Sequence, residues 1–219
     1  DDTQISSGYR LACQAQPRSH VRLEIPPESL PSGQKMQVDG KESELQVAPV
    51  VTGSDLELKP PDLHDLRSDL TRALDQLGEP SLEANVAALA QLSAVMRQED
   101  WCVRLALGKT PRGSYLSGSF SPGTRLLGLA ADMGSTKLAF YLVDLASGAT
   151  LAQMGVMNPQ IPYGEDVVSR IAYANRSEEN RVLLQTRLVE TIQQSAGELC
   201  AQTGMQTGQI VDAVLVGNT

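Results

Sequence analysis

The sequence is poor in aromatic residues. It has two Phe and one Trp among 219 residues, so aliphatic side chains must form most of any core. No apolar run approaches the length of a membrane span, and no basic-then-apolar segment opens the chain. A cytoplasmic location is therefore expected. Clustered Lys and Arg are also absent, and the net charge is −8. That balance argues against nucleic acid as the main partner, because phosphate backbones select basic surfaces. Cysteine is scarce. Cys13, Cys102 and Cys200 have no second Cys within two to four positions, which excludes a zinc knuckle and a redox CxxC pair. Cys102 and Cys200 fall in apolar or helical runs, where a buried inert thiol is expected.

What is present divides by texture. Residues 1–25 are too few for a core of their own, and Val21-Arg22-Leu23-Glu24-Ile25 alternates like a half-exposed strand. Pro26-Pro27 ends it, and a stretch rich in Pro, Ser and Gly to about residue 45 reads as a linker. Residues 46–123 read as a small β-α-α-β-β unit. A strand is expected over 47–58. Asp62 is the expected N-cap of a helix with Leu63, Leu66, Leu70, Leu74 and Leu77 on its apolar stripe, and Gly78 ends it. Ser81 is the expected cap of a second helix, with Val86, Leu89, Leu92 and Met96 inward. Strands over 101–107 and 115–120 follow. Asp62, Asp65 and Asp69 read as a solvated helix face.

After Pro122-Gly123 the order becomes β-β-β-α-α-β over 124–219. Leu126 opens an apolar run typical of a buried strand. Further strands are expected over 137–144, 149–156 and 210–216, the last also buried. Helices are expected over 165–174, with Val167, Val168 and Ile171 inward, and over 178–203, ended by Gly204.

Asp132-Met133-Gly134-Ser135-Thr136 lies between the first two of these strands. Gly134 leaves no Cβ in the way of an anion, successive N–H groups can form an anion nest, and Ser135 and Thr136 add hydroxyl donors. Asp132, at the strand end, can hold Mg²⁺ through waters. The same five residues also suit an ordinary hairpin in which Gly and Ser make the turn. Lys137 either adds charge near phosphate or is a strand residue facing water.

This order and motif resemble the sugar kinase, Hsp70 and actin superfamily. The resemblance implies an α/β fold: a small α+β middle domain followed by the first part of an actin/Hsp70-like (ribonuclease H-like) nucleotide-binding lobe. The segment from Asn158-Pro159-Gln160-Ile161-Pro162-Tyr163-Gly164-Glu165 to Ile171, and Leu215-Val216-Gly217-Asn218-Thr219, resemble ATP-dependent reductive activators of corrinoid proteins. Gly8-Tyr9-Arg10-Leu11-Ala12-Cys13-Gln14 resembles the last ligand segment of the plant-type [2Fe–2S] ferredoxin domain with which those proteins begin.

The resemblance implies ATP, Mg²⁺ and [2Fe–2S] as cofactors of an intact protein that returns Co(II) to Co(I). Asp132 is then the catalytic, magnesium-side carboxylate. Gly134, Ser135, Thr136, Lys137, Gly217, Asn218 and Thr219 hold nucleotide, and Cys13 is a residual cluster ligand. The implied partners are a corrinoid protein of a methyltransferase or O-demethylase system, an upstream electron donor, and a second copy in a homodimer. Glu165, Asp166 and Arg170 belong to the nucleotide site, to a docking surface, or to a solvated helix start. A plant-type cluster needs three further Cys spaced C-x₄-C-x₂-C, and this chain lacks them. The chain is therefore expected to be an inactive fragment, without most of the cluster domain and the second lobe, that holds no cofactor tightly. Two other readings stand beside this one. A small-molecule kinase of the same superfamily would phosphorylate a sugar or acid. A non-catalytic interaction module would bind no Mg-ATP.

Overall fold

A computed structural model describes Ser6 and residues 47–79, 82–84, 86–111 and 113–217. The rest of the expected ferredoxin remnant, with Cys13, and the linker, Ser81, Asn218 and Thr219 lie outside the described residues. Apart from Ser6, those described belong to one unit, Val38–Thr219. It is a mixed α/β fold with two four-stranded sheets.

The first sheet contains β1 (Val51–Glu57), β2 (Glu83–Ala84), β3 (Cys102–Thr110) and β4 (Gly113–Phe120), in the order β1-β3-β4-β2. Its helices are α1 (Asp69–Leu77) and α2 (Val86–Gln98). The short β2 pairs in parallel with β4 and was not expected from the sequence. Leu56, Ala73, Leu92, Met96, Val103 and Leu105 form the core between helices and sheet. Full burial of one such Leu or Met contributes about 1.5–3 kcal/mol.

The start of α1 corrects the sequence reading. Asp62 does not cap it. Its Oδ1 instead accepts from the backbone N–H of His64 and of Asp65, at 2.7 and 2.9 Å, closing a local turn. Ser68 is the N-cap, its Oγ accepting from Thr71 N at 3.1 Å. Leu63 and Leu66, outside the helix, are 89% and 84% exposed. The apolar stripe therefore holds only from Leu70 to Leu77, because the helix starts at the later of two residues able to cap it. Gly78 ends α1 in the left-handed conformation, as expected. In α2 the buried positions are Ala88, Leu92 and Met96, whereas Val86 is exposed.

Nor do the three acids form a solvated face. Asp65 pairs with Arg67, whose hydrogen-bonding guanidinium draws its pKa down to about 2. Asp69 accepts from Ser93 and Arg97 at 2.8 Å each. Arg72 and Arg97 both lie over the Trp101 ring, at 5.1 and 5.2 Å from its centroid.

The second sheet contains β5 (Leu127–Met133), β6 (Lys137–Asp144), β7 (Thr150–Met157) and β8 (Ile210–Gly217), ordered β7-β6-β5-β8. β5, β6 and β7 form an antiparallel meander, and β8 returns parallel to β5. The return crosses through α3 (Val167–Ala174) and the long α4 (Glu178–Thr203). Ser177 caps α4 by accepting from Asn180 N at 3.2 Å, and Gly204 ends it in the left-handed region. Leu127, Leu129, Leu138, Phe140 and Leu142 pack against Ala196, Leu199 and Cys200 of α4. β8 is an edge strand, and its Val214, Leu215 and Val216 are exposed, contrary to the expectation of a buried strand. No helix among the described residues is long and apolar enough to cross a membrane.

Candidate functional site

Alternation along β5 sorts its side chains. Leu127, Leu129, Ala131 and Met133 pack in the core beneath α4. Asp132 lies between two of these residues, so it faces the other side of the sheet, and it is exposed. It stands at the carboxyl end of β5, level with Ala139 of β6 and Val216 of β8. The neighbouring β8 runs the same way and ends at Gly217, opposite Met133. Asp132, Gly134, Ser135, Thr136, Lys137 and Gly217 are thus gathered at one end of the sheet, where two parallel strands finish side by side. The carboxyl edge of parallel strands is where open α/β sheets form their ligand crevices.

The turn from β5 to β6 is tight. A Cβ on Gly134 would sit 2.4 Å from the Lys137 carbonyl oxygen. Glycine is required there by space. Gly217 is similarly close-packed, with a Cβ there 3.2 Å from Met133 Cβ. Ser135 and Thr136 are exposed, and Lys137 opens β6 opposite Met157.

The turn is fixed from beneath by the segment after β7. Asn158 is buried; its Nδ2 donates to Gly134 O at 2.8 Å, and its backbone N–H donates to Thr136 O at 2.9 Å. Asn158 Oδ1 accepts from Gln160 N at 2.9 Å, and Gln160 Nε2 donates to Leu184 O of α4 at 3.1 Å. Arg170 of α3 is 7% exposed. Its Nε donates to Gly164 O at 2.8 Å, and its Nη2 donates to Ser135 O. Three successive carbonyls of the turn, those of Gly134, Ser135 and Thr136, are therefore occupied by donors of Asn158 and Arg170. A recess of about 330 Å³ lies beside Arg170, lined by Met133, Ile171, Ala174, Leu184 and Leu188 among others.

α3 reverses the expected burial. Val167, Val168 and Ile171 are 39%, 76% and 54% exposed, while Arg170 is the buried residue. A helix of eight residues at the rim has little apolar surface to meet, and it uses its inner face for the guanidinium's bonds to carbonyls. Asp166 is its N-cap. The Oδ1 accepts from Ser169 N at 2.7 Å and Oδ2 from Ser169 Oγ at 3.0 Å. The Ser169 backbone N–H, then its hydroxyl, hold the Asp166 carboxyl below the usual carboxylate range. Glu165 is exposed.

Sequence reasoning did not single out Asn158 or Gln160. The available signal was an Asn-Pro pair directly after a strand, beside a loop needing donors.

This geometry suits a polyphosphate with a divalent cation. The Gly134 position has no room for a side chain, two hydroxyls are exposed beside it, and one carboxylate stands at the adjacent strand end. The described cysteines do not suit an iron–sulfur cluster. Cys102 opens β3 in the first sheet, whereas Cys200 is buried in α4, where burial pushes its thiol pKa up.

Comparison with known proteins agrees with this architecture. The chain is 34% identical over 94 residues to the corrinoid activation enzyme RamQ of Eubacterium limosum, an alignment covering 43% of this chain and 16% of that protein. A solved structure of a reductive activator for corrinoid,iron-sulfur protein superposes on the whole of this chain with a TM-score of 0.64 and 29% identity. The match covers 37% of that longer chain. Residues 40–125 match the RACo linker region and residues 127–219 the RACo middle region. Two adjoining regions of one family, in order and together over most of the sequence, place this chain in the RACo family.

Proposed function

We propose that the chain carries the ATP-phosphate loop of an ATP-dependent reductive activator that returns a corrinoid protein from Co(II) to Co(I). The observation carrying this reading is the β5–β6 turn, with its space-limited glycine, its carbonyls held from below and Asp132 at the strand end. Ser135 and Thr136 offer amides and hydroxyls to phosphate oxygens. Asp132 holds hydrated Mg²⁺, and Lys137 adds positive charge beside the loop. Gly217 faces the same bound nucleotide from the end of β8; Asn218 and Thr219 are assigned to nucleotide by the family resemblance alone.

In this proposal the polypeptide divides as a ferredoxin remnant (1–25), a linker (26–45), an α+β domain (46–123) and the start of the nucleotide-binding lobe (124–219). The intact protein supplies the electron from a [2Fe–2S] cluster, fed by an upstream donor. Its partner is the corrinoid protein of a methyltransferase or O-demethylase system, in the cytoplasm. A plant-type cluster sits near about −400 mV. If the cobalt couple lies lower, each ~59 mV of deficit costs about 1.4 kcal/mol for one electron. Nucleotide binding offsets that cost only by favouring a complex in which cobalt is easier to reduce. Support comes from the relatives' names and from the loop.

Calorimetric titration of the full-length protein with Mg-ATP tests the reading. Saturable binding that weakens at least tenfold in a folded Asp132→Asn variant is expected. Absence of binding heat, or unchanged affinity in the variant, would overturn it.

A further inference from the structure

We infer that Arg170 is a positioning residue that presets the phosphate loop, with Asn158 as its partner. This rests on the phosphate-loop reading and adds a mechanism for how the empty loop is held ready. A trans peptide is planar, so its carbonyl and the following N–H point in opposite directions. Gly134 O is held by Asn158 Nδ2, and Ser135 O by Arg170 Nη2. The N–H groups of Ser135 and Thr136 are therefore turned away from the Asn158–Arg170 side. Neither of them donates to a backbone carbonyl among the described residues. Two adjacent amides pointing the same way, without partners, constitute an anion nest.

Charge adds a second reason. Arg170 is buried and makes no ion pair among the described residues; its two hydrogen bonds go to carbonyls of Gly164 and Ser135. It feels the negative charge of Asp166 at the start of α3, but the oxygens of that carboxylate are already engaged by Ser169, so a further anion approaching the buried guanidinium remains favourable. A polyphosphate on the loop directly above supplies that anion. The planar fork matters as much as the charge. Nε and Nη2 of one guanidinium tie Gly164, at the entry to α3, to Ser135 in the loop, 29 residues earlier in the chain. One lysine ammonium cannot reproduce that fixed double contact.

The test is Mg-ATP titration of the full-length protein carrying Arg170→Lys, beside the unmodified protein and Asp132→Asn. The titration stoichiometry reports the folded fraction, and Kd reports the loop. Arg170→Lys is expected to raise Kd at least tenfold with stoichiometry unchanged. If the unmodified protein binds, Asp132→Asn weakens binding and Arg170→Lys binds normally, the inference is overturned while the phosphate-loop reading stands. If the unmodified protein does not bind, or Asp132→Asn is silent, the underlying reading fails and takes the inference with it. Should Arg170→Lys lose its fold, Asn158→Ser, which releases the Gly134 carbonyl, reads the same quantity. A rise in Kd of about threefold or more is expected there, and unchanged affinity would overturn the inference.

Discussion

Replacing Gly134 with alanine probes both the packing and the chemistry of the loop. The added Cβ would meet the Lys137 carbonyl oxygen at 2.4 Å, where ordinary contact begins at 3.4 Å, so that carbonyl or the turn must move by about 1 Å. Lys137 begins β6, which is paired on both sides, and the Gly134 carbonyl is held by Asn158. Overpacking of this kind costs about 1–3 kcal/mol. The turn can relieve it only by reorienting the peptides that follow, which misaligns the Ser135 and Thr136 amides. Loss of one charge-assisted hydrogen bond is worth about 1.5–3 kcal/mol, or about 10- to 150-fold in Kd. Urea unfolding and Mg-ATP titration of the same preparation read the two effects. Lower stability with unchanged ATP affinity would refute the phosphate role of the turn, and unchanged stability would refute the packing argument.

Two further outcomes follow from the scaffold. Leu199 is fully buried between α4 and the second sheet, so Leu199→Ala should destabilise by about 2–5 kcal/mol in urea unfolding, and a loss under 1 kcal/mol would contradict its place in the core. Asp166 has a depressed folded pKa, set first by the Ser169 backbone N–H, so its charge contributes stability fully above the unfolded value near 4 and loses it as pH falls through the folded value. Asp166→Asn keeps the cap geometry and removes the charge. Its melting temperature should trail the unmodified protein's at pH 7 and converge with it once the pH has fallen below the depressed folded value; a gap that stays constant as the pH is lowered would count against the cap assignment.

Much of the frame was legible because long regular elements leave strong signals. The period of α4 and its Gly204 stop gave the helix over 178–203, and the strand-like run from Lys137 to Asp144 gave β6. What failed was local competition or missing context. Asp62 and Ser68 are both good caps six residues apart, and only the three-dimensional pairing of Asp65 with Arg67 and Arg72 separates them. Val168 and Ile171 look inward by periodicity, yet α3 turns its arginine to the loop instead. β8 reads as buried from composition, but exposure of a strand depends on what lies beside it. The loop's place at the sheet's carboxyl edge was legible from Asp132 to Lys137. Its supports were not: Arg170 was one of three candidates without a defined role and Asn158 was not singled out, because both act on backbone carbonyls, and such bonds leave no pattern in the side chains they serve.

The central claim is that Asp132 and its loop couple ATP to cobalt reduction. The most direct measurement follows formation of Co(I) on a corrinoid protein by absorbance, using the full-length activator and a reductant, with and without Mg-ATP. The account predicts ATP-stimulated Co(I) formation that disappears in Asp132→Asn, with the cluster spectrum and melting temperature retained. A folded Asp132→Asn protein that still forms Co(I) in response to ATP would contradict it.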